Sequence, residues 1–218
     1  MRFGVIGTGT VGRTLAEKLV ELGHEVTLGS RTKDNAAAND WADRAGPYGH
    51  AGTFAEAAEF GEVVLNATSG TVSLQALEAA GAERLAGKVL IDVSNPLVFS
   101  ATGELSLEPV NTDSVGEQIQ RAHPDAFVVK ALNTVTAPVM VDPARIPGEH
   151  NLFIAGEDVE AKAKVRAVLE EFGWPAGAII DLGGIEAARG MEMMMPFWIT
   201  MMRHLGHADF NYSIRTAN

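Results

Sequence analysis

The feature of this sequence that most constrains its fold is a glycine-rich turn between a short apolar run and an amphipathic helical pattern. Residues 2–6 form the apolar run, and residues 11–22 carry apolar side chains at helical intervals. Between them lies the segment Gly7-Thr8-Gly9-Thr10-Val11-Gly12, which has the spacing G-x-G-x-x-G. A strand, a glycine turn and a helix in this order predict the first unit of a dinucleotide-binding Rossmann domain. An ordinary glycine loop is the weaker alternative.

Each glycine of the turn has its own task in such a unit. Gly7 permits the tight turn, Gly9 lets the backbone approach a pyrophosphate, and Gly12 lets the helix pack closely on the strand. The pyrophosphate would lie on the free N–H groups at the start of the helix, where the helix dipole also favours negative charge. We therefore expect the whole turn to bind the cofactor: Gly7, Thr8, Gly9, Thr10, Val11 and Gly12.

The end of the second predicted strand, at residues 25–28, indicates which dinucleotide is bound. NAD-binding proteins usually carry an Asp or Glu here, which binds the ribose hydroxyls. This chain has Ser30 and Arg31 instead, followed by Lys33, and its first carboxylate after the strand is Asp34. An arginine can bind a 2′-phosphate through two parallel hydrogen bonds, Ser30 can donate another, and Lys33 adds a positive charge. We therefore expect NADP(H) in preference to NAD(H); a solvated basic turn is the alternative.

Two further loops follow predicted strands at the sheet edge where open α/β folds bind ligands. One is Asn66-Ala67-Thr68-Ser69-Gly70, and the other is Asp92-Val93-Ser94-Asn95-Pro96-Leu97. Their small polar residues suit contacts to a ribose and a nicotinamide, although ordinary turn chemistry would explain them equally well. The residues expected to contact the cofactor are Ala67, Thr68, Ser69, Asn95 and Pro96.

Strand and helix patterns alternate along the chain. We predict strands at residues 2–6, 25–28, 62–65, 88–93, 126–130, 151–155 and 178–181. We predict helices at residues 11–22, 36–44, 53–60, 72–80, 114–122, 159–172 and 185–205, the last with a kink at Pro196. The segment 97–109 is interpreted as a loop, and a proline-containing linker precedes residue 151. This alternation predicts an α/β fold, a Rossmann-type, doubly wound, mostly parallel sheet with a helical C-terminal extension.

The composition changes near Gly183-Gly184, after which the sequence becomes rich in methionine. We therefore expect residues 1–182 to form an NADP-binding Rossmann domain with extra strands. Residues 183–218 would form a helical extension that does not fold independently. Because methionine fills irregular contact surfaces, the extension is interpreted as core or dimer-interface packing, and a homodimer is expected. The alternative is a wall for a flat ring, built with Phe197 and Trp198.

The bulk composition excludes several classes of protein. With 17 Lys and Arg against 28 Asp and Glu, the net charge is −11, which argues against a nucleic-acid partner and against binding to an anionic membrane surface. The sequence has no cysteine, which excludes disulfides, thiol catalysis and Cys-ligated zinc. No apolar run reaches the length of a membrane span, about 18 residues, and no secretory signal pattern is present. We therefore expect a cytoplasmic protein.

Four of these segments together resemble a known family. They are the glycine turn at residues 7–12, Gly29-Ser30-Arg31, Asp92-Val93-Ser94-Asn95-Pro96 and Val129-Lys130-Ala131-Leu132-Asn133-Thr134. The combination resembles the NADPH-dependent reductases of coenzyme F420, the 8-hydroxy-5-deazaflavin hydride carrier. It is also similar to the wider group that includes the cytosolic domain of the membrane ferric reductases. The first two motifs are shared with many NADP-binding enzymes, whereas the fourth motif and the compact length are more specific.

The resemblance implies an oxidoreductase that transfers a hydride directly between NADP(H) and a deazaflavin. The two cofactors carry such a reaction while the protein binds and orients them, so no catalytic acid or base is required. The resemblance also implies a pocket for the second ring system formed by Asn133, Thr134, Ala137 and Pro138. Lys130, at the end of a predicted strand, is interpreted as a structural residue in preference to a ligand contact.

Two other functions are compatible with the same residues. One is an NADPH-dependent reductase whose acceptor is a flavin or another electron carrier. The other is a non-catalytic NADP-binding regulatory protein. The small polar side chains of Thr68, Ser69, Asn95 and Asn133 favour an enzyme, because a protein that only senses the dinucleotide needs no open pocket for a second ring.

A metal site is not expected. His204 and His207 have the i, i+3 spacing of a metal-binding pair on a helix, but only one carboxylate, Asp209, follows within a turn, and cysteine is absent. The partners expected for the chain are therefore a small redox molecule and a second copy of itself, with no nucleic acid and no membrane.

Overall fold

The computed structural model of the protein describes residues 1–217. It contains one eight-stranded sheet and a separate two-stranded sheet. The strands are β1 (Arg2–Ile6), β2 (Glu25–Ser30), β3 (Gly49–Thr53), β4 (Val63–Asn66), β5 (Val89–Asp92), β6 (Leu97–Phe99), β7 (Leu105–Leu107), β8 (Phe127–Ala131), β9 (Leu152–Ala155) and β10 (Ile179–Asp181). The helices are α1 (Thr10–Glu21), α2 (Ala36–Ala45), α3 (Phe54–Phe60), α4 (Gly70–Ala80), α5 (Ala82–Leu85), α6 (Val115–Ala122), α7 (Ala137–Val141), α8 (Val159–Glu171), α9 (Ala188–Met193) and α10 (Met195–Leu205).

The strands of the large sheet lie in the order β10-β9-β8-β5-β4-β1-β2-β3. The six strands from β8 to β3 are parallel, whereas β9 pairs antiparallel with β8 and β10 pairs parallel with β9. This arrangement confirms the predicted α/β fold with a mostly parallel sheet. From β1 the strand order runs one way to β2 and the other way to β4, so the carboxyl ends of β1 and β4 flank the crevice where open α/β sheets bind ligands.

Helices cover both faces of the large sheet because its parallel strands are apolar on both sides. Successive side chains of a strand belong to opposite faces. In β1, Phe3 and Val5 pack in one buried cluster with Leu15 of α1, whereas Ile6 packs in a second cluster with Leu77 of α4. Because both faces are covered, the edge formed by the strand ends is the surface left for a ligand.

β3 is a strand that the sequence pattern does not predict. Three of its five residues are glycine or alanine. Glycine is required at its first position, because a Cβ atom on Gly49 would lie 2.3 Å from the Cβ of Ala45 and 3.2 Å from the ring of Trp41. The strand therefore lacks the alternating bulky side chains by which β structure is identified. Its last residue, Thr53, pairs with Ser30 at the end of β2.

Two further sequence interpretations are wrong. The segment 97–109, expected to be a loop, contains the antiparallel hairpin of β6 and β7, in which Leu97 pairs with Leu107. The linker expected before residue 151 contains α7, with Pro138 in its first turn, where the missing N–H breaks no helical hydrogen bond. Both elements are too short to display a periodicity that a sequence pattern could reveal.

The helix predicted at residues 185–205 is divided. A 3₁₀ turn at Ile185–Ala187 leads into α9, and α10 begins anew with Pro196 in its first turn. Met191 of α9 is buried, whereas Phe197 of α10 is 57% exposed. The homodimer expected from this segment stays a prediction.

The residues that follow β10 share the core of the sheet. Ala188 of α9 belongs to the same buried cluster as Val128 of β8 and Ile119 of α6. Within residues 1–217, no helix has both the length and the apolar character needed to cross a membrane.

Candidate functional site

The glycine turn after β1 requires glycine at two positions. Gly7 has a φ of 117°, which other residues rarely adopt, and its N–H donates to the carbonyl of Gly29 at 3.0 Å. A Cβ atom on Gly12 would lie 1.9 Å from the carbonyl oxygen of Gly7, so α1 can approach the end of β1 only with glycine here. The turn is thereby held between β1, β2 and α1.

The start of α1 is open to an anion. Its N-cap residue is Gly9, no side chain caps the helix, and its first turn holds no acidic residue. The N–H groups of a first turn have no partner within the helix and carry the positive end of its dipole. A Cβ atom built on Gly9 would meet no atom within 4 Å, so the space in front of it is open. The Arg13 guanidinium donates to the carbonyl of Thr8 at 2.6 Å and holds the turn from the helix side.

A cavity of about 440 Å³ lies in front of this turn. Its other walls are Arg31 in the turn after β2, Phe54 of α3, the loop before α4, and the side of α4 from Val72 to Ala79. Seven residues predicted to bind the cofactor line it: Gly7, Thr8, Gly9, Arg31, Ala67, Thr68 and Ser69. Among the described residues that line it, none belongs to the 95–96 loop or to the expected second-ring pocket. The cavity therefore joins the glycine turn to the basic turn after β2.

The basic turn after β2 holds one unpaired cation. Ser30 is buried, and its hydroxyl donates to the carbonyl of Thr32 within the turn. Arg31 is exposed and reaches the cavity, and its guanidinium forms no hydrogen bond or ion pair with any residue that the structure describes. The Arg31 side chain is therefore available to an anionic ligand.

A carboxylate from a distant part of the sequence lies beside this turn, although none occurs along the chain between the end of β2 and Asp34. Glu56, in the first turn of α3, forms an ion pair with Lys33. The Glu56 carboxylate also accepts a hydrogen bond from the N–H of Thr53 at 2.8 Å, which is one half of a capping box. It accepts another from the Thr53 hydroxyl at 3.1 Å. Hydrogen bonds from Lys33 and Thr53 lower the pKa of Glu56 to about 2, so this carboxylate is ionised at neutral pH.

Polar side chains at the carboxyl ends of β4 and β5 are hydrogen-bonded to each other. Nδ2 of Asn66 donates to Oδ1 of Asp92 at 2.9 Å and to the hydroxyl of Ser73 at 3.0 Å. The Thr68 hydroxyl donates to Oδ1 of Asn66 at 2.7 Å. Asn66, Asp92 and Ser73 are completely buried. These bonds fix the loop after β4, which forms one wall of the cavity.

The buried side chain of Lys130 connects this cluster to the C-terminal helices. Its Nζ donates to Oδ2 of Asp92 at 2.8 Å, to the carbonyl of Ser94 at 2.7 Å and to Oε1 of Glu192 at 2.7 Å. The Glu192 carboxylate also accepts hydrogen bonds from the N–H groups of the first two residues of α6. All three ammonium donors of Lys130 are therefore used within the protein.

The charges of this buried cluster depend on each other. Burial by itself would lower the pKa of Lys130, but the carboxylates of Asp92 and Glu192 outweigh burial and raise its pKa. Burial raises the pKa of Glu192, an effect that Lys130 opposes and Asp92 reinforces. The Lys130 ammonium therefore remains charged at neutral pH and holds both acids.

Two acids that fix α9 were missed by the sequence analysis. Glu192 stands alone among methionines, 62 positions from Lys130, and a single carboxylate in an apolar segment is its only local signal. Glu117 of α6 accepts a hydrogen bond from Nε of Arg189 at 2.8 Å. The hydrogen bonds from Arg189 lower the pKa of Glu117, although burial acts in the opposite direction. Together these acids attach α9 to β8 and α6.

Asn95 and Asn133, expected near the nicotinamide and the second ring, bind each other. Nδ2 of Asn95 donates to the carbonyl of Asn133 at 2.8 Å, and Nδ2 of Asn133 donates to Oδ1 of Asn95 at 2.9 Å. Nδ2 of Asn133 also donates to the carbonyl of Met191 at 3.2 Å. Between β8 and Asn133 the chain turns at Leu132, whose φ of 64° is uncommon for an apolar residue. The loops after β5 and β8 are thereby joined to α9.

The rest of the expected second-ring pocket follows directly in the chain. Thr134 is buried, and neither its hydroxyl nor Oδ1 of Asn133 has a hydrogen-bond partner among residues 1–217. Ala137 is buried at the start of α7, whereas Pro138 is exposed. Asn133 and Thr134 therefore each carry one buried polar atom that has no hydrogen-bond partner among the described residues.

His204 lies in the last turn of α10, whereas His207 follows the end of that helix, so the two histidines do not share one helix face. His204 and His207 are both exposed. Across residues 1–217, the structure shows no group of three or more His, Asp or Glu side chains that could hold a metal ion.

Comparisons with known proteins point to one family. The family described as "NADP oxidoreductase coenzyme F420-dependent" matches residues 2–96. The F420-dependent NADP reductase of Methanothermobacter marburgensis is 31% identical over 231 aligned residues, which cover 100% of this chain and 99% of that protein. The crystal structure of a candidate F420-dependent NADP-reductase from Arthrobacter sp. FB24 is 49% identical, with a TM-score of 0.93, and the match covers 99% of this chain and 100% of that one.

A rat protein is similar over part of its length. Metalloreductase STEAP3 of Rattus norvegicus is 30% identical over 207 residues, which cover 90% of this chain. This chain spans 38% of the length of the rat protein. The Methanothermobacter reductase, by contrast, is matched over nearly its whole length, and this chain therefore belongs to the family of coenzyme F420-dependent NADP oxidoreductases.

Proposed function

We propose that this protein transfers a hydride directly between NADP(H) and a deazaflavin of the coenzyme F420 class. The observation that carries the proposal is the uncapped N-terminus of α1 together with the unpaired guanidinium of Arg31, which line one cavity. The relatives support the second substrate, because the Methanothermobacter protein is named an F420-dependent NADP reductase. When both cofactors are bound, C4 of the nicotinamide and the central ring of the deazaflavin exchange the hydride.

The dinucleotide would lie along the carboxyl edge of β1, β2 and β4. The pyrophosphate would accept hydrogen bonds from N–H groups at the start of α1, and the 2′-phosphate would accept two parallel bonds from Arg31. Ser30 would exchange its bond to the Thr32 carbonyl for one to the phosphate. The cofactor contacts that we propose are Gly7, Thr8, Gly9, Thr10, Val11, Gly12, Ser30, Arg31, Lys33, Ala67, Thr68, Ser69, Asn95 and Pro96.

The second ring system would lie against the segment that follows β8. The pocket residues that we propose are Asn133, Thr134, Ala137 and Pro138. The Thr134 hydroxyl and Oδ1 of Asn133, which have no partner among residues 1–217, are suited to the polar edge of such a ring. The Asn95–Asn133 pair would hold the two ring-binding loops at a fixed separation. No side chain acts as an acid or base, because holding the two carriers in the reactive geometry is sufficient for hydride transfer.

A turnover assay with a panel of acceptors tests this function. The protein is mixed with NADPH and, in turn, with a deazaflavin, a flavin nucleotide and free riboflavin, and the absorbance of the nicotinamide and of each acceptor is followed. We expect NADPH oxidation and deazaflavin reduction in equal amounts, and much slower reaction with either flavin. Turnover with a flavin alone would support the flavin reductase instead. Tight NADPH binding without turnover on any acceptor would support the regulatory protein.

A further inference from the structure

The ion pair between Lys33 and Glu56 stands at the place where the 2′-phosphate is proposed to bind. Lys33 follows Arg31 by two positions in the turn after β2. Glu56 comes from α3, which begins directly after β3, and the last residue of β3, Thr53, pairs with Ser30 at the end of β2. The two turns therefore lie side by side at the carboxyl edge of the sheet, and the Glu56 carboxylate faces the basic turn.

The two partners of this ion pair differ in their freedom to move. Glu56 is held by the N–H and the hydroxyl of Thr53 as well as by Lys33. The Lys33 side chain is 69% exposed, and lysine has a long, flexible stem. A ligand that competes for the pair would therefore draw Lys33 away and leave the carboxylate in place.

We infer that Glu56 limits the affinity of this protein for NADP(H) by competing with the 2′-phosphate for Lys33. In the unliganded protein Lys33 is already neutralised, so Arg31 is the one unpaired cation that the described turn offers to the phosphate. Binding must either break the Lys33–Glu56 pair or place the phosphate near an anion. Glu56 is thus a specificity-determining residue that reduces the preference for NADP(H) over NAD(H). The inference rests on the proposed function, because it requires the 2′-phosphate at this turn.

Glu56→Gln isolates the charge from the structural role of the side chain. Glutamine at this position of a capping box still accepts the hydrogen bond from the N-cap N–H, so α3 keeps its cap. Glu59→Gln is the matched control, because it makes the same charge change one turn along the same helix, away from Lys33. Thermal unfolding of both variants verifies that the fold is retained.

Fluorescence titration with NADPH and NADH gives the readout. We expect Glu56→Gln to tighten NADPH binding about two- to fivefold, the range that an exposed ion pair supports, and to leave NADH binding unchanged. The gain should decrease at high salt, because the charges are exposed to solvent. Glu59→Gln should change neither affinity by as much. Equal gains for NADPH and NADH, or weaker NADPH binding by Glu56→Gln, would overturn the inference.

A double-mutant cycle with Lys33→Met tests the competition itself. In the unmodified protein Lys33 is already paired with Glu56, so Lys33→Met should weaken NADPH binding less than about twofold. In the Glu56→Gln background it should remove the whole gain, so the two changes are strongly coupled for NADPH and uncoupled for NADH. Additive effects on NADPH would overturn the competition.

The preference of Arg31→Ala for NADPH over NADH shows whether a negative result with Glu56→Gln refutes only the role of Glu56 or the proposed cofactor site as well. If Arg31→Ala removes the preference for NADPH over NADH but Glu56→Gln has no effect, the phosphate binds at the turn and only the role of Glu56 is wrong. If Arg31→Ala leaves the preference intact, the phosphate binds elsewhere, and both the site and the inference fail.

Discussion

The side chain of Lys130 ends 2.7 Å from the carboxylate of Glu192, although 62 positions separate the two residues in the sequence. This contact attaches α9 to β8, and the same ammonium binds the carbonyl of Ser94 at 2.7 Å. Ser94 directly precedes Asn95, which binds Asn133. A helix outside the Rossmann pattern therefore fixes the loops that we propose to hold the two reacting rings.

Glu192→Ala is expected to lower the free energy of unfolding by about 2–4 kcal/mol. The change leaves Lys130 with one carboxylate and removes the acceptor of two N–H groups at the start of α6. Glu192→Gln keeps an acceptor there and should cost roughly half as much. Urea unfolding measures both, with Glu186→Ala, at an exposed acid of the same segment, as the control. A loss below about 0.5 kcal/mol for Glu192→Ala would contradict its structural role.

The ion pair of Arg189 and Glu117 is expected to stabilise the protein at neutral pH but not in acid. Hydrogen bonds from Arg189 hold the pKa of Glu117 below its ordinary value of about 4.3, although burial opposes them. A carboxyl whose pKa is lower in the folded state stabilises the fold above its unfolded pKa. That contribution is lost as the pH falls through the folded-state pKa.

Arg189→Met tests this pH dependence. The loss of unfolding free energy caused by the substitution should be largest above about pH 5 and should shrink as the pH is lowered below about 4. Denaturant titrations of the unmodified and substituted proteins across this range give the difference at each pH. A difference that stays constant down to about pH 3 would show that the pair is not the source of the stabilisation.

Two alanine substitutions in the glycine turn should separate binding from folding. Gly9 has a φ of −69°, and a Cβ atom there would meet no other atom within 4 Å, so Gly9→Ala should fold normally. It should weaken NADPH binding roughly tenfold or more, because the added methyl group would stand where the pyrophosphate is proposed to bind. Gly12→Ala forces a Cβ atom against the carbonyl of Gly7 and should lower stability by about 1–3 kcal/mol. Thermal unfolding and NADPH titration measure the two effects, and normal NADPH binding by Gly9→Ala would count against the site.

The parts of the site that could be predicted from the sequence are those fixed by local pattern. The order of strand, glycine turn and helix at residues 2–22 determines the backbone at Gly7 and the open helix start, because each depends on neighbours in the chain. Arg31 was predictable for the same reason, since it directly follows the strand that pairs with β1.

The parts that could not be predicted depend on contacts between distant segments. Glu56 reaches Lys33 only because β3 pairs with β2, and the sequence of β3, with two glycines and no large apolar residue, displays no strand pattern. Glu192 lies in a methionine-rich segment, so its role as the buried partner of Lys130 depends on how α9 packs. A buried acid is identified by its surroundings, which the sequence around it does not specify.

Asn133→Ala is expected to slow hydride transfer about tenfold while changing NADPH affinity less than about twofold. The Asn133 amide joins the loop after β5 to α9 through Asn95 and Met191, and its loss would widen the space in which the second ring is held. Single-turnover absorbance measurements give the transfer rate, and titration gives the NADPH affinity. An unchanged transfer rate would show that this amide does not position the ring.

The central claim, direct hydride transfer between two bound carriers, is tested most directly by placing deuterium at C4 of NADPH. NADPH has two hydrogens at C4, so each singly labelled form is reacted in turn with the deazaflavin in ordinary water. We predict that one form delivers its deuterium completely to the central ring of the reduced deazaflavin and that the other delivers none. Release of the deuterium to water during turnover, from either form, would contradict direct transfer.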